Sequence, residues 1–319
     1  FNDYLKLNKD KKNELYTLVK NHYSPTSHEY YQPTMNAIID YFKGHNKKVY
    51  ISMKYSIDTN KNKKLIGTMS SIPYEMVIYK NKMDIYYIDF LCVHKDYRKK
   101  GNAPLIIYSH AVNLYNKYKH LVYIFKREGV LSSYVPLTVY NTYIFDTKHW
   151  VKNACFKNNQ YQLIDSKGSN ISTLQEIFED METDDMFECV YKPNLNNINI
   201  LIQNDHLIIF ILMIDNNPYA CYVYKNNHVS YADNKCVDLI ASYSNTSDEI
   251  FIMGYLNSLT MLSKRVTYNY LLIENISHNY ILLKAILERY SYKYKCDTGY
   301  YFYNYATGPF YSQNVFCIT

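Results

Sequence analysis

Between Asp84 and Tyr115 the sequence reads as a strand, a basic turn and a helix in direct succession. Asp84 to Val93 is rich in aromatic and β-branched residues, as a strand requires. Arg98-Lys99-Lys100-Gly101-Asn102-Ala103 follows, and Pro104 suits the first helical turn, where a missing N–H costs nothing. Leu105, Tyr108, Val112 and Tyr115 then recur on one face at helical spacing. Such a turn aims loop N–H groups and the free N–H groups of the helix at one point, and the helix dipole favours an anion there. Gly101 and Ala103 let phosphate oxygens approach the backbone closely. Arg98, Lys99 and Lys100 add positive charge. Ordinary basic loops also match Arg98-x-x-Gly101-x-Ala103; its place between this strand and this helix is what suggests a phosphate cradle.

Other chemistries are excluded by what is missing. The eight glycines lie far apart, none closer than Gly299 and Gly308, so the chain has no dinucleotide loop, P-loop, kinase glycine loop or nucleophile elbow. The longest apolar run, Leu207 to Ile214, is far short of a membrane span. At 48% hydrophobic and 20% charged residues the chain can bury a core. A net charge of +6 is too small to argue for nucleic acid, and the lysines from Lys43 to Lys64 read as a solvated hairpin. The 39 tyrosines fit a compositional bias better than a base-stacking surface. The seven cysteines are odd in number and widely spaced, which predicts free thiols in a reducing compartment. The ten histidines form no H-E-x-x-H, and no metal is expected. No signal peptide is visible.

Periodicity predicts helices at Lys11 to Lys20, Thr34 to Phe42, Phe251 to Leu262 and Asn279 to Tyr290. Strands are expected at Val49 to Ile57, Leu65 to Ile72, Tyr74 to Tyr79, Ile198 to Ile202, His206 to Ile214, Ala220 to Tyr224, Tyr268 to Ile273 and Tyr300 to Tyr305. Ser172-Thr173-Leu174-Gln175 reads as a capping box. Strands and helices recur in similar order in two halves, 1–165 and 166–319, which predicts an α+β fold of mixed sheets flanked by helices.

Several stretches taken together resemble one family. They are Asp89-Phe90-Leu91-Cys92-Val93-His94-Lys95, then Arg98-x-Lys100-x-x-Ala103-Pro104, Leu15-Tyr16-Thr17-Leu18 with Asn21 and Tyr23, Lys64-Leu65-Ile66-Gly67, Ser71-Ile72-Pro73, Gly129-Val130-Leu131, Val135 to Tyr140, and Tyr301-Phe302-Tyr303-Asn304-Tyr305. The chain is similar to the N-myristoyltransferases (glycylpeptide N-tetradecanoyltransferases), built on the GNAT fold of acyl-CoA-dependent N-acyltransferases. The resemblance implies two GNAT-like halves related by a pseudo-twofold, the first binding acyl-CoA and the second the peptide. It implies transfer of a long acyl chain from myristoyl-CoA, a co-substrate and not a resident cofactor, to the N-terminal glycine amine of proteins. It further implies a cytosolic monomer with no nucleic-acid partner and no stable membrane insertion.

Residue roles follow from the same resemblance. Backbone N–H groups of Phe90 and Leu91 would form the oxyanion hole. Phe90, Leu91, Cys92, Val93, Arg98, Lys99, Lys100, Gly101, Asn102, Ala103 and Pro104 would line acyl-CoA. Tyr23, Asp89, Tyr140 and Thr319 would meet the peptide. The general base would be the C-terminal carboxylate, here that of Thr319, taking a proton from an α-amine whose pKa is about 8.

The chain also departs from the family. Asp89 stands in place of an asparagine and offers a second candidate base. Ser24-Pro25-Thr26-Ser27-His28-Glu29 replaces an acidic run. Thr142 replaces a histidine and Tyr305 a tryptophan, while the small hydroxyl residue that the family places near the substrate amine falls within Lys126 to Glu128 and has no aligned counterpart there. Two other readings stay open: a GNAT acyltransferase with a different amine acceptor, and a homologue that binds acyl-CoA or acylated peptide without turnover.

Overall fold

The computed structural model describes every residue except 25–28, 151–153, 157, 184–185 and 232–233. The first part of the chain runs β1 (Asn2–Asp3), α1 (Lys9–His22), β2 (Glu29–Tyr31), α2 (Met35–Asp40), β3 (Tyr50–Ile57), β4 (Lys63–Ile78), β5 (Asn81–Val93), α3 (Asn102–Lys117), β6 (Val122–Glu128), β7 (Pro136–Asp146) and β8 (Tyr161–Asp165). There follow α4 (Ile171–Thr183), β9 (Cys189–Pro193), α5 (Leu195–Gln203), β10 (Leu207–Ile214), β11 (Asn217–Lys225), β12 (Val229–Tyr231), β13 (Asn234–Ser244), α6 (Asp248–Arg265), β14 (Tyr270–Glu274), α7 (Asn279–Leu287), β15 (Tyr294–Phe302) and β16 (Val315–Cys317). No helix among the described residues is long and apolar enough to cross a membrane.

The main path of one mixed sheet runs β1-β3-β4-β5-β6-β15-β7-β14-β13-β11-β10-β8, with β2, β9, β12 and β16 paired off it. Its logic repeats. β3, β4 and β5 are antiparallel, and β5 then crosses through α3 to a parallel β6. β10, β11 and β13 are antiparallel, and β13 crosses through α6 to a parallel β14. Parallel neighbours need such a crossover. The strands that follow are exchanged: β7 pairs with β14, and β15 pairs with β6. The α+β expectation and the repeated order are therefore met, in a sheet that the two halves complete for each other.

The two strands expected at Leu65 to Ile72 and Tyr74 to Tyr79 are one strand, β4. Pro73 lies inside it, although proline is rare inside sheets. Here it sits where β4 changes partner. β3 pairs as far as Ser71 and β9 starts at Tyr74, so Pro73 leaves no ladder bond unmade on that edge.

Three other expectations are corrected. Ile198 to Ile202 lies in helix α5, where Asn194 caps Asn196 N at 3.1 Å and Ile198, Leu201 and Ile202 bury one face. Three β-branched residues suggested a strand, but tertiary packing used the helical spacing. Ser172 is not an N-cap: it lies inside α4, and its hydroxyl donates back to Ser169 O at 3.1 Å. The face Leu105, Tyr108, Val112 and Tyr115 of α3 is turned outward, while Ile106, His110 and Leu114 are buried against the sheet.

Candidate active site

The strand-to-helix unit forms one wall of a cleft of about 550 Å³, lined by His22 and Tyr23 from the end of α1, Leu91 to Val93 of β5, Tyr97 to Lys99, and Gly101 to Pro104. Gly101 is left-handed at φ +73°, which lets the chain turn abruptly into α3. Asn102 Nδ2 donates to Tyr97 O at 2.7 Å and Lys100 Nζ to Asp96 O at 2.8 Å, fixing the turn. Arg98 is spent on structure: its Nε donates to Val93 O at 3.0 Å and its Nη2 to His22 O. The loop cation lining the cleft without such a bond to the loop backbone is Lys99.

Beside the cleft β5 bulges. Thr68 pairs with Cys92 and Ser70 with Asp89, so Phe90 and Leu91 together stand opposite Met69. Phe90 takes φ +50°, an uncommon conformation for a bulky residue and a mark of a functional bend. Its ring is buried against Tyr23 and Phe42, at centroid distances of 5.7 and 5.5 Å. Leu91 is 39% exposed on the cleft side. Asp89 Oδ1 accepts two bonds, from Tyr23 Oη at 2.9 Å and from the Phe90 N–H at 2.6 Å.

The chain end arrives from the other half. β16 runs parallel to β9, and Ile318 N donates to Tyr191 O at 3.1 Å. Thr319 is only 7% exposed. Lys225 Nζ donates to Thr319 O at 2.8 Å, and the Tyr300 hydroxyl shares a 2.7 Å hydrogen bond with Thr319 Oγ1. Burial lowers the Lys225 pKa, and the Asp89 charge is the strongest of the effects that oppose the drop.

A charged cluster gathers around Glu274. Glu274, 2% exposed at the end of β14, accepts from Lys126 Nζ at 2.8 Å and from the Tyr140 hydroxyl. Lys126 also pairs with Glu128 at 3.0 Å. Burial works to lower the Lys126 pKa, but Glu274 and Glu128 outweigh it and hold it above the ordinary value. Asp238 faces Lys225 across the β11–β13 ladder and accepts from Asn227 Nδ2 at 2.7 Å. Burial, and then the Glu274 charge, push Asp238 up to about 7. Thr142, two residues beyond Tyr140, is buried and bonded to Thr298 Oγ1 at 2.9 Å.

The structure thus gathers Tyr23, Asp89, Phe90 and Leu91 around the bulge, and Tyr140 and Thr319 around the cluster. Most of Ser24 to Glu29 lies outside the described residues. Sequence reasoning missed Lys225, Asp238 and Glu274 altogether. The only visible signal was Lys126-x-Glu128, two charges on one face at the end of an apolar strand. No cluster of three or more metal-ligating side chains occurs among the described residues.

The comparisons fit this geometry. The profile described as "Myristoyl-CoA:protein N-myristoyltransferase, N-terminal domain" matches residues 3–125. A protein of Amsacta moorei entomopoxvirus, provisionally named a glycylpeptide N-tetradecanoyltransferase, is 26% identical over 223 residues, which are 66% of this chain and 72% of that one. The Plasmodium falciparum glycylpeptide N-tetradecanoyltransferase is 43% identical over 61 residues, 19% of this chain and 14% of its own length. The Saccharomyces cerevisiae N-myristoyltransferase, solved with bound myristoyl-CoA, superposes with a TM-score of 0.72 at 13% identity, over 96% of this chain and 82% of that one. An N-acetyltransferase of Anabaena variabilis superposes at 0.56 and 8% identity, over 92% and 71%. The fold is therefore that of the GNAT-like acyltransferases. Within that class the chain is similar to the N-myristoyltransferases, by the profile over residues 3–125 and by the viral relative over 223 residues.

Proposed function

We propose that this chain transfers a long-chain acyl group, myristoyl above all, from acyl-CoA to the N-terminal glycine amine of protein substrates. The observation that carries the reading is the bulge at Phe90 and Leu91, beside a phosphate-type loop, with the buried Thr319 linked to it through Lys225, whose Nζ bonds Thr319 O and lies over the Tyr41 ring that meets Phe90. Residues 1–165 bind the acyl donor; residues 166–319 supply most of the peptide groove and the terminal carboxylate. The protein works in the cytosol as a monomer.

The thioester carbonyl of acyl-CoA lies against the bulge. As the amine nitrogen attacks, charge develops on the carbonyl oxygen, and the N–H groups of Phe90 and Leu91 stabilise it there. The attacking ammonium first loses a proton to the Thr319 carboxylate. The C–S bond then breaks, the departing thiolate takes the remaining extra proton of the attacking nitrogen to leave as the CoA thiol, and an amide remains. Holding both substrates in one cleft supplies much of the acceleration. The loop at Lys99 to Ala103 holds the donor's pyrophosphate, with Arg98 bracing it. Tyr23 and Tyr140 flank the peptide. The assignment of the base requires the mature chain to end at Thr319, which intact-mass determination checks.

The deciding experiment is turnover of myristoyl-CoA with a glycine-initiated peptide and its alanine-initiated counterpart, read as CoA release and peptide mass. Acylation of the glycine peptide alone is expected, because an added Cβ would crowd the bulge. Equal use of both peptides would favour a GNAT enzyme with another amine acceptor. Binding of myristoyl-CoA with no CoA release would identify a non-catalytic homologue.

A further inference from the structure

We propose that Lys225 is the positioning residue for the terminal carboxylate: its ammonium holds Thr319 oriented and ionised beneath the acceptor amine. This inference rests on the reading of Thr319 as the base and adds a residue to it.

Three observations carry it. Lys225 is the last residue of β11, and its Nζ donates to Thr319 O at 2.8 Å. The same Nζ lies over the Tyr41 ring, 5.3 Å from its centroid, so the side chain is held from a second direction. The Tyr300 hydroxyl bonds Thr319 Oγ1 at 2.7 Å, fixing the residue's other end. A carboxylate buried without a cation is driven to take up a proton, and a protonated carboxyl cannot serve as base. The charges facing Lys225 are Asp89 and Asp238, which attract it, Glu274, which does so more weakly, and Lys126, which repels it. Lys126 is already paired to Glu274 and Glu128, so removing Lys225 leaves no free cation among these groups to hold the Thr319 carboxylate ionised.

The test compares Lys225→Met, Lys225→Arg and wild type by kcat against pH, together with a chain extended by two glycines beyond Thr319. Lys225→Met should move the acid limb of kcat to higher pH by about 1–3 units, the range for a carboxylate that loses a cation within 4–6 Å. KM for myristoyl-CoA should stay unchanged, and Lys225→Arg should restore the limb. Lys225→Arg keeps the cation, so it remains informative even where Lys225→Met melts early. An extended chain with full kcat would sink the base assignment itself. An inactive extended chain combined with a Lys225→Met profile that superposes on wild type would overturn the role of Lys225 alone.

Discussion

The Asp89 carboxylate accepts the backbone N–H of its own neighbour Phe90 at 2.6 Å, and the Tyr23 hydroxyl reaches the same oxygen at 2.9 Å. One of the two amide donors at the bulge is therefore already engaged. A thioester oxygen that uses this donor must displace Asp89, whose freed carboxylate would then stand beside the arriving amine. Asp89 is thus a competitor for the oxyanion donor and an alternative acceptor of the amine proton at once.

Asp89→Asn separates these roles. The amide oxygen can still accept from Phe90 and Tyr23, but it cannot take the proton. With Thr319 as base, kcat should stay within about tenfold of wild type, short of the ~10²–10⁴-fold typical of losing a positioned base. Steady-state kinetics on a glycine-initiated peptide decide, and a collapse of kcat would place the base on the strand.

For Thr319 the main chain matters and the side chain hardly does. Thr319→Leu should keep kcat within about tenfold, losing only the hydroxyl bond to Tyr300. Deleting the last three residues should cut the chemical step by roughly 10²–10⁴-fold while acyl-CoA still binds. Single-turnover rates alongside direct titration of myristoyl-CoA distinguish the two effects.

At Gly101 a Cβ would meet nothing within 4 Å, so the fold itself has room for one. Two costs remain. An L-residue at φ +73° is strained by about 1–2 kcal/mol, and the new atoms project where phosphate oxygens are proposed to sit. Gly101→Val should raise the Kd for myristoyl-CoA at least about tenfold. Calorimetry showing unchanged affinity would mean that the loop is not the phosphate cradle.

Asp238 makes stability depend on pH in a calculable direction. Its folded pKa of about 7 lies above the unfolded value of about 3.9, so between these the folded state holds the extra proton. Its contribution is therefore most favourable below pH 4 and is lost as pH rises through 7. Asp238→Asn, which can still accept from Asn227, should raise Tm at pH 8 and change it little at pH 5. Thermal melts of both proteins across that range would refute the idea if the difference did not grow with pH.

Gly254 lets α6 settle onto β11. A Cβ there would lie 2.3 Å from Tyr222 Oη, which is itself bonded to Phe251 O at 2.6 Å, and 3.1 Å from Leu212 Cδ2. Gly254→Ala should destabilise the fold by about 1–3 kcal/mol through overpacking, visible in urea unfolding.

Some of this was legible before any coordinates. The β5–α3 unit, the helices at the start of the chain and the repeat of strands and helices all express local rules. Each depends on residues a few positions apart: periodicity, a glycine at a turn, a proline at a helix start. Where neighbours conflict with those rules, the reading failed. α5 looked like a strand because its β-branched residues were judged without the core they pack against. α3 was read from its regular apolar stripe, yet the buried face is the one carrying His110. Its Nδ1 meets Ser52 Oγ at 2.8 Å, a bond made across 58 residues.

The sequence by itself determined the fold class and the position of the strand-to-helix unit, since the signature from Asp89 to Pro104 is contiguous. It could not show that Phe90 N–H is occupied by Asp89, or that Lys126, Lys225, Asp238 and Glu274 surround one point. Those four side chains come from β6, β11, β13 and β14. They meet only because β7 and β15 cross between the halves to complete the sheet and β16 returns to carry Thr319 inward. Electrostatic partners are chosen by distance in space, and that distance is set by sheet order, which no local pattern along the chain encodes.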